Sequence, residues 1–346
     1  MKKLNIAVVT SSTGSKYTQL FIKAIKDRGH NPVIIDVNTT YLLVSSSVNG
    51  YDRIYLADGD EPQRLLAKEL DAFITRIGAN TDFGCAVVKH LYENLGIFGV
   101  QTAEGIQIAA NKWSTTQILS TRGVKNPITV FAHKPKHVKF LLDKCGGLPA
   151  IAKTIKGSLG SGVALLETPL AANSALGAMY HSDMQLVLQS YIDTSAKGYR
   201  AIVLGEKVIA SMLKEGDKKE FRDNLAKGAK GSKVELSKED QSLAVAASQA
   251  IGLKFSGVDL LKDPSGMSYV VEVNSNPGMS IVDVTGINVP GLVVEYIEKN
   301  YASGNPKTDR QLLQSYNGDL LMSLDKCKDV NYQKFITTLI QSKCKF

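Results

Sequence analysis

Cysteine is scarce in this 346-residue chain, and long apolar runs are missing altogether. The four cysteines, Cys85, Cys145, Cys327 and Cys344, form no CxxC pair and have no histidine at zinc-finger spacing. They read as free thiols rather than as a disulfide framework or a zinc centre. No apolar stretch reaches the ~18–20 residues that cross a bilayer, which argues against a helical membrane span. The opening MKKLNIAVVTSSTG has two lysines before an apolar run, as a signal peptide would. That run is short and breaks into Thr-Ser-Ser-Thr-Gly, so a first β-strand is expected, and with it a cytoplasmic protein. There is no internal repeat, no low-complexity tract and no RNP-like aromatic motif. The net charge of +8 therefore favours anionic partners in general and does not select sequence-specific nucleic acid.

What is present is the composition of a globular protein, 44% hydrophobic and 21% charged, in a chain long enough for two or three subdomains. The first hundred residues alternate strand and helix: Leu4–Thr10, Lys16–Arg28 and Asn31–Val37, then Asp71–Arg76 and Phe83–Leu95. Such alternation predicts a parallel sheet with helices on its faces. The serine-rich stretch 40–59 reads as loop with short edge strands. Gly14 in TSSTGSK stands too isolated for a phosphate fingerprint and reads as a tight turn.

From Asn111 the texture changes. Helix Lys112–Thr121 leads to strand Ile128–Phe131, helix Lys136–Lys144 and strand Ala150–Thr154. A glycine-rich loop over 156–162 separates that strand from Val163–Glu167. Helix Ala171–Met179 precedes strands Leu186–Tyr191, Tyr199–Leu204 and Val208–Leu213. The lysine-rich stretch 214–233 lacks periodicity and reads as a loop. Helix Lys238–Gly252, strands Ser256–Leu261 and Ser268–Asn274, and helix Pro290–Tyr301 complete the core, with proline at the helix start. Beyond 305, Tyr332, Phe335, Ile336, Leu339 and Ile340 repeat at helical spacing. The expected division is 1–95, 96–185, 186–304 and a helical tail over 305–346.

Three groups of residues carry chemistry. Lys153 lies on a strand that enters Gly157-Ser158-Leu159-Gly160-Ser161-Gly162. Glycines let several backbone N–H groups approach phosphate oxygens, and a lysine adds a point charge. A plain hairpin turn would account for the same residues. Glu272 and Asn274 share one face of a strand, and Asp259 comes beside them if the two strands pair. Two carboxylates among apolar neighbours call for a cation, and an oxygen-only set suits magnesium. A solvated strand face is the alternative. Arg222, in Phe221-Arg222-Asp223-Asn224, has the planar fork for a transferred phosphate, or is simply a solvated loop arginine.

Taken in order, Lys112, Lys153 with its glycine loop, Phe221-Arg222-Asp223-Asn224, Gly257-Val258-Asp259 and Glu272-Val273-Asn274-Ser275-Asn276-Pro277-Gly278 resemble the ATP-grasp superfamily. Within it the chain is similar to the RimK-like α-L-glutamate ligases, which Thr75-Arg76-Ile77-Gly78 and Phe83-Gly84 match in the N-terminal part. The resemblance covers about residues 1–300. It implies an α/β (α+β) ATP-grasp fold behind an N-terminal parallel-sheet pre-ATP-grasp domain.

It also implies roles. Lys112, Lys153, Gly157, Ser158, Gly160 and Gly162 would hold ATP phosphates, and Gln189-Ser190-Tyr191-Ile192 would be the hinge meeting adenine. Asp259, Glu272 and Asn274 would hold one or two Mg²⁺, with Mn²⁺ as a substitute. Arg222, Asp223 and Asn224 would contact the nucleotide, with Arg222 and Asn224 catalytic at the transferred phosphate. The implied reaction phosphorylates a carboxylate and lets an amine displace phosphate, without a cysteine or serine nucleophile. Partners would be an amino acid, glutamate first, and a carboxylate acceptor: a peptide or protein C-terminus, such as a ribosomal protein, or a small acid. Arg76 and Arg200 are candidate substrate-carboxylate grips, Arg76 with a structural role as the alternative. Homo-oligomers are common among such ligases.

Two positions depart from the pattern: Ser190 stands where glutamate is usual, and Gly198 where aspartate is usual. They put nucleotide affinity in doubt and motivate a second reading, a nucleotide-binding regulator without turnover. The basic residues Lys214, Lys218, Lys219, Lys227, Lys230 and Lys233 suit an acidic peptide, or a merely solvated loop. Removing Asp259 or Glu272 is expected to abolish turnover and spare the fold.

Overall fold

The computed structural model describes residues 2–43, 53–57, 59–65, 69–78, 81–133, 137–157, 162–216 and 230–302. The N-terminal part is a four-stranded parallel sheet in the order Asn31–Asp36, Asn5–Thr10, Ala72–Arg76 and Phe98–Gly99. Leu4, Ile6 and Val8 enter one buried cluster while Ala7 and Val9 enter another. A continuous apolar run has this outcome when both sheet faces are covered. A small antiparallel sheet, Thr40–Leu43, Arg53–Leu56 and Gln63–Leu65, occupies part of the serine-rich stretch.

The central part is an antiparallel sheet ordered Val163–Leu166, Ala150–Thr154, Leu186–Ser190 and Thr129–Phe131. Helices Val138–Lys144 and Pro169–His181 bury Leu142, Ala172 and Leu176 against it. The C-terminal part is a five-stranded antiparallel sheet: Lys230–Lys233, Lys207–Glu215, Lys197–Leu204, Phe255–Lys262 and Ser268–Asn274. One face, with Ala201, Val203, Val258 and Leu260, packs with Ala244 and Ala247 of helix Lys238–Ala250. The other, with Ile202, Leu204, Ala210, Met212 and Phe255, shares a core with the N-terminal sheet and helix Val289–Asn300.

Helix Lys112–Thr121 and strands Ala150–Thr154 and Ser268–Asn274 lie where the residue pattern puts them. Helices Ala103–Ala109 and Ser280–Thr285 carried too few residues to show a period. The first of these is fixed by contacts instead. Thr102 caps it through Oγ1 to the Gly105 amide at 3.0 Å, and a β-carbon at Gly105 would meet the Ile251 carbonyl at 2.7 Å.

The lysine-rich stretch 214–233, expected as loop, begins and ends in strand. Lys214 belongs to strand Lys207–Glu215, and Lys230–Lys233 pairs with that strand, so neither end is loop. Lys218, Lys219 and Lys227 lie outside the described residues, as does the tail over 305–346.

A polar clasp ties the last helix to the first sheet. The Glu298 side chain is only 5% exposed and accepts from Arg28 Nε and Nη2 at 2.7 and 2.6 Å, and its Oε1 lies 2.9 Å from His30 Nε2. The Leu4 amide donates to His30 Nδ1 at 3.2 Å, so Nε2 carries the hydrogen that faces Glu298. The Arg28 hydrogen bonds, against the opposing effect of burial, hold the Glu298 carboxyl below the usual range. Glu298→Gln is expected to lower stability by about 2–3 kcal/mol at pH 7, read from the urea midpoint. The contribution is complete above the ordinary glutamate pKa of about 4.3. It fades as pH falls through the lower folded value, so wild type and variant should converge in acid.

Candidate active site

Strand parity builds the site. On the face of the C-terminal sheet that looks toward the shared core, Met212, Arg200, Asp259 and Glu272 form one row across four strands, each in register with the next. Asn274 stands one row on, opposite Gly257. The apolar rows of Ile202 and Leu204 end at Arg200, and those of Ala210 and Met212 end at Lys214, so the core face turns polar at one edge.

Asp259 is the centre of this edge and only 6% exposed. Its carboxylate accepts from Arg200 Nε at 2.6 Å and Nη2 at 2.5 Å, from Lys214 Nζ at 3.2 Å and from Asn274 Nδ2 at 3.3 Å. Burial alone would raise its pKa. The Arg200 and Lys214 charges outweigh that effect and hold the carboxyl far below the carboxylate range. Glu272, half-buried in the same row, makes no hydrogen bond or ion pair among the described residues.

Lys214 is the residue that sequence reasoning misplaced. Counted with a basic loop, it is 7% exposed and ion-paired to Asp259. Its register partner is Gly198, which offers no side chain, so the ammonium reaches past it to the carboxylate beyond. The signal was the period of two: Ala210, Met212 and Lys214 alternate onto one face. Arg200, expected as a substrate grip, places its guanidinium on Asp259.

The glycine loop springs from the central sheet. Lys153 sits on strand Ala150–Thr154 opposite Val163 and Val187. Gly162 closes the loop with φ +69, its carbonyl accepting from the Thr154 amide at 2.9 Å. A β-carbon there would meet the Thr154 side chain at 2.6 Å, so only glycine fits this close. Lys112 begins its helix behind the cap Asn111 and donates from Nζ to the Gly157 carbonyl at 2.9 Å. The structure thus brings Lys112 to the loop. Ser158 and Gly160 lie outside the described residues, and so do Arg222, Asp223 and Asn224.

At the expected hinge, Gln189 is buried, donates from Nε2 to Thr129 Oγ1 at 3.0 Å, and has an Oε1 with no partner among the described residues. Ser190 bonds through its amide to the Ile128 carbonyl, and Tyr191 and Ile192 are half-buried beyond the strand. Burial, then Asp193 and Glu167, push the Tyr191 hydroxyl pKa up. Arg76 lies in the N-terminal sheet, 7% exposed, donating from Nη1 to the Pro277 carbonyl at 2.9 Å. Among the described residues no three His, Cys, Asp or Glu side chains gather as a metal cage. The candidate set is instead two carboxylates and an amide. Its oxygens are hard donors, and the uncommitted Glu272 fits a cation.

Comparison with known proteins gives this geometry its setting. Residues 109–297 match the family model of the RimK-like ATP-grasp domain, and residues 4–106 match that of the RimK PreATP-grasp domain. A protein named probable alpha-L-glutamate ligase from Picosynechococcus sp. is 37% identical over 311 residues, covering 89% of this chain and 99% of its own length. One of the same name from Vibrio cholerae is 36% identical, covering 88% and 99%. Among solved structures, the ATP-grasp ligase PsnB, complexed with a phosphomimetic variant of its minimal precursor, Mg and ADP, aligns with TM-score 0.65 at 14% identity. That alignment covers 86% of this chain and 99% of PsnB. The macrocyclase MdnC from Microcystis aeruginosa, bound with precursor peptide MdnA, aligns with TM-score 0.62 at 16% identity, covering 86% and 100%. The D-alanine-D-alanine ligase from Coxiella burnetii aligns with TM-score 0.63 at 16% identity, covering 92% and 99%. At these identities the structural likeness establishes the ATP-grasp fold.

Proposed function

The chain belongs to the RimK-like ATP-grasp family, whose ligases form C–N bonds with release of ADP, and from that premise we propose that it adds L-glutamate to a carboxylate acceptor. The acceptor we favour is the C-terminus of a peptide or protein, a ribosomal protein included. The precursor peptides bound by PsnB and MdnC support that class. The observation that carries the reading is the row of Arg200, Asp259 and Glu272, with Asn274 beside it, across one sheet edge.

In the proposed reaction a carboxylate oxygen of the acceptor attacks the γ-phosphorus of ATP. An O–P bond forms, the bond to the β-phosphate oxygen breaks, and ADP is released. The amine then attacks the acyl carbon. The C–N bond forms, the C–O bond to phosphate breaks, and the ammonium proton passes to phosphate or water. Lys112, Lys153 and the 156–162 loop hold the phosphates. Asp259, Glu272 and Asn274, the last through Oδ1, would hold Mg²⁺, or Mn²⁺ in its place, which would neutralise phosphate charge when bound. Arg200 and Lys214 keep Asp259 ionised and oriented, while Arg222 and Asn224 contact the transferred phosphate. Gln189 to Ile192 meet adenine from the central sheet.

The test is incubation with ATP, Mg²⁺, L-glutamate and acidic C-terminal peptides, following ADP and product mass. Acceptor-dependent ADP release and a glutamyl mass increment are expected. Nucleotide binding with neither ADP nor product would favour a regulator, the reading that Ser190 and Gly198 motivate.

A further inference from the structure

Arg76 ends the parallel strand Ala72–Arg76, in register with Thr10 at the end of its neighbour. The crevice outside the carboxyl ends of such strands is where open α/β sheets take their ligands. Parity sets Arg76 on the face of Ala72 and Ile74, toward the core shared with the C-terminal sheet. Its guanidinium lies 5.6 Å from the centre of the Phe21 ring. Nη1 is engaged by the Pro277 carbonyl, but Nε is buried without an acceptor, and no carboxylate pairs with it among the described residues. Arg200 shows the contrasting state, with two nitrogens on one carboxylate.

A buried guanidinium without a counter-charge is costly, and the cost is visible here, since burial pushes Arg76 down to about 10. Its planar fork matches a carboxylate and strengthens when the pair is desolvated. Next in sequence to its anchor, Asn276 carries a buried Oδ1 that no donor reaches among the described residues. Arg76 and the loop that anchors it therefore hold, among the described residues, a cation without an anion and an acceptor without a donor, the complement of an amino acid's carboxylate and amine.

The junction adjoins the chemistry. Residues 275–278 follow directly on Asn274, and a β-carbon at Gly257 would meet Pro277 Cβ at 2.8 Å, two residues before Asp259. Gln101 secures the same loop, donating to the Ser275 carbonyl while its Oε1 accepts from the Thr75 amide at 3.1 Å and hydroxyl at 2.5 Å. We infer that Arg76 seats a non-reacting carboxylate of the amino acid that donates the amine, a role that rests on the ligase reading above. A carboxylate pinned by a guanidinium is a poor nucleophile, so the seated group is not the one that is phosphorylated. Asn276 accepts one N–H of the donor amine and aims it.

The experiment compares wild type with Arg76→Met using L-glutamate, L-isoglutamine and L-glutamine as donors, with ATP and a peptide acceptor. Arg76→Met is expected to raise the KM for glutamate about 10- to 100-fold, the worth of a charged hydrogen-bonded pair, and to leave the KM for ATP within about twofold. In wild type one of the two amides should be a poorer donor by a similar factor, which identifies the seated carboxylate. Arg76→Met should lose that preference.

If wild type makes no C–N product from any donor, the ligase reading falls and this inference with it. If wild type makes product while folded Arg76→Met keeps its KM for glutamate and its preference between acid and amide, only the seat falls. A rise confined to the KM of the acceptor peptide would overturn the donor assignment. Should Arg76→Met fail to fold, Arg76→Lys keeps the charge without the fork and should show a smaller rise; an unchanged KM there overturns the seat. So would equal use of glutamate and both amides by wild type.

Discussion

Asp259→Ala is expected to lose ligation and also about 3–5 kcal/mol of folding stability, because it removes the carboxylate that Arg200 and the buried Lys214 share. Arg200 and Lys214 both rest on this carboxylate, with side chains 17% and 9% exposed. Removing one partner of a buried pair costs more than the pair is worth, since the remaining charge stays desolvated. The expectation that this variant would spare the fold therefore does not hold for the ion cluster described above. Urea unfolding gives the measurement. A wild-type midpoint would contradict the described cluster, and adding Lys214→Met should restore part of the loss if the two residues are coupled.

Glu272→Ala is the cleaner test of the chemistry. Its carboxylate has no protein partner among the described residues, so truncation should leave the urea midpoint within about 0.5 kcal/mol of wild type. Turnover should fall about 10²–10³-fold, the usual loss when one preorganised electrostatic group at a transferring centre is removed. The KM for Mg²⁺ should rise in the same variant. Near-normal turnover with an unchanged magnesium requirement would take Glu272 out of the proposed metal set. The two carboxylates sit opposite one another in a single register pair, yet they are expected to fail in different ways. On the proposed metal site, Asp259 would support structure and reaction together, whereas Glu272 would support the reaction alone.

Much of this was legible without coordinates, for reasons that differ by element. Leu4–Thr10 is apolar at every position but Asn5 and Thr10, so its burial on both faces follows from composition. Glu272 and Asn274 share a face by the two-residue period, and the short turn at 263–266 made pairing with the Asp259 strand the simplest topology. Lys112 and Lys153 were marked by their place before a helix and before a glycine loop. Short elements such as Ala103–Ala109 were not legible, because a capping hydroxyl and a close backbone approach hold them rather than a repeating pattern.

The two sheet periodicities, the glycine loop and the order of motif residues that marks the family are local properties, written in the chain. Which charges meet is a property of the assembled fold. That Arg200 and Lys214 converge on Asp259 depends on the order of strands in the C-terminal sheet, where residues 45 and 59 positions apart become neighbours. That Arg76 has no anion among the described residues depends on the N-terminal sheet being sealed against residues 275–278, about 200 positions away. A charge is cheap in water and costly in a dry junction, and burial is a property of the assembled chain that no single segment carries.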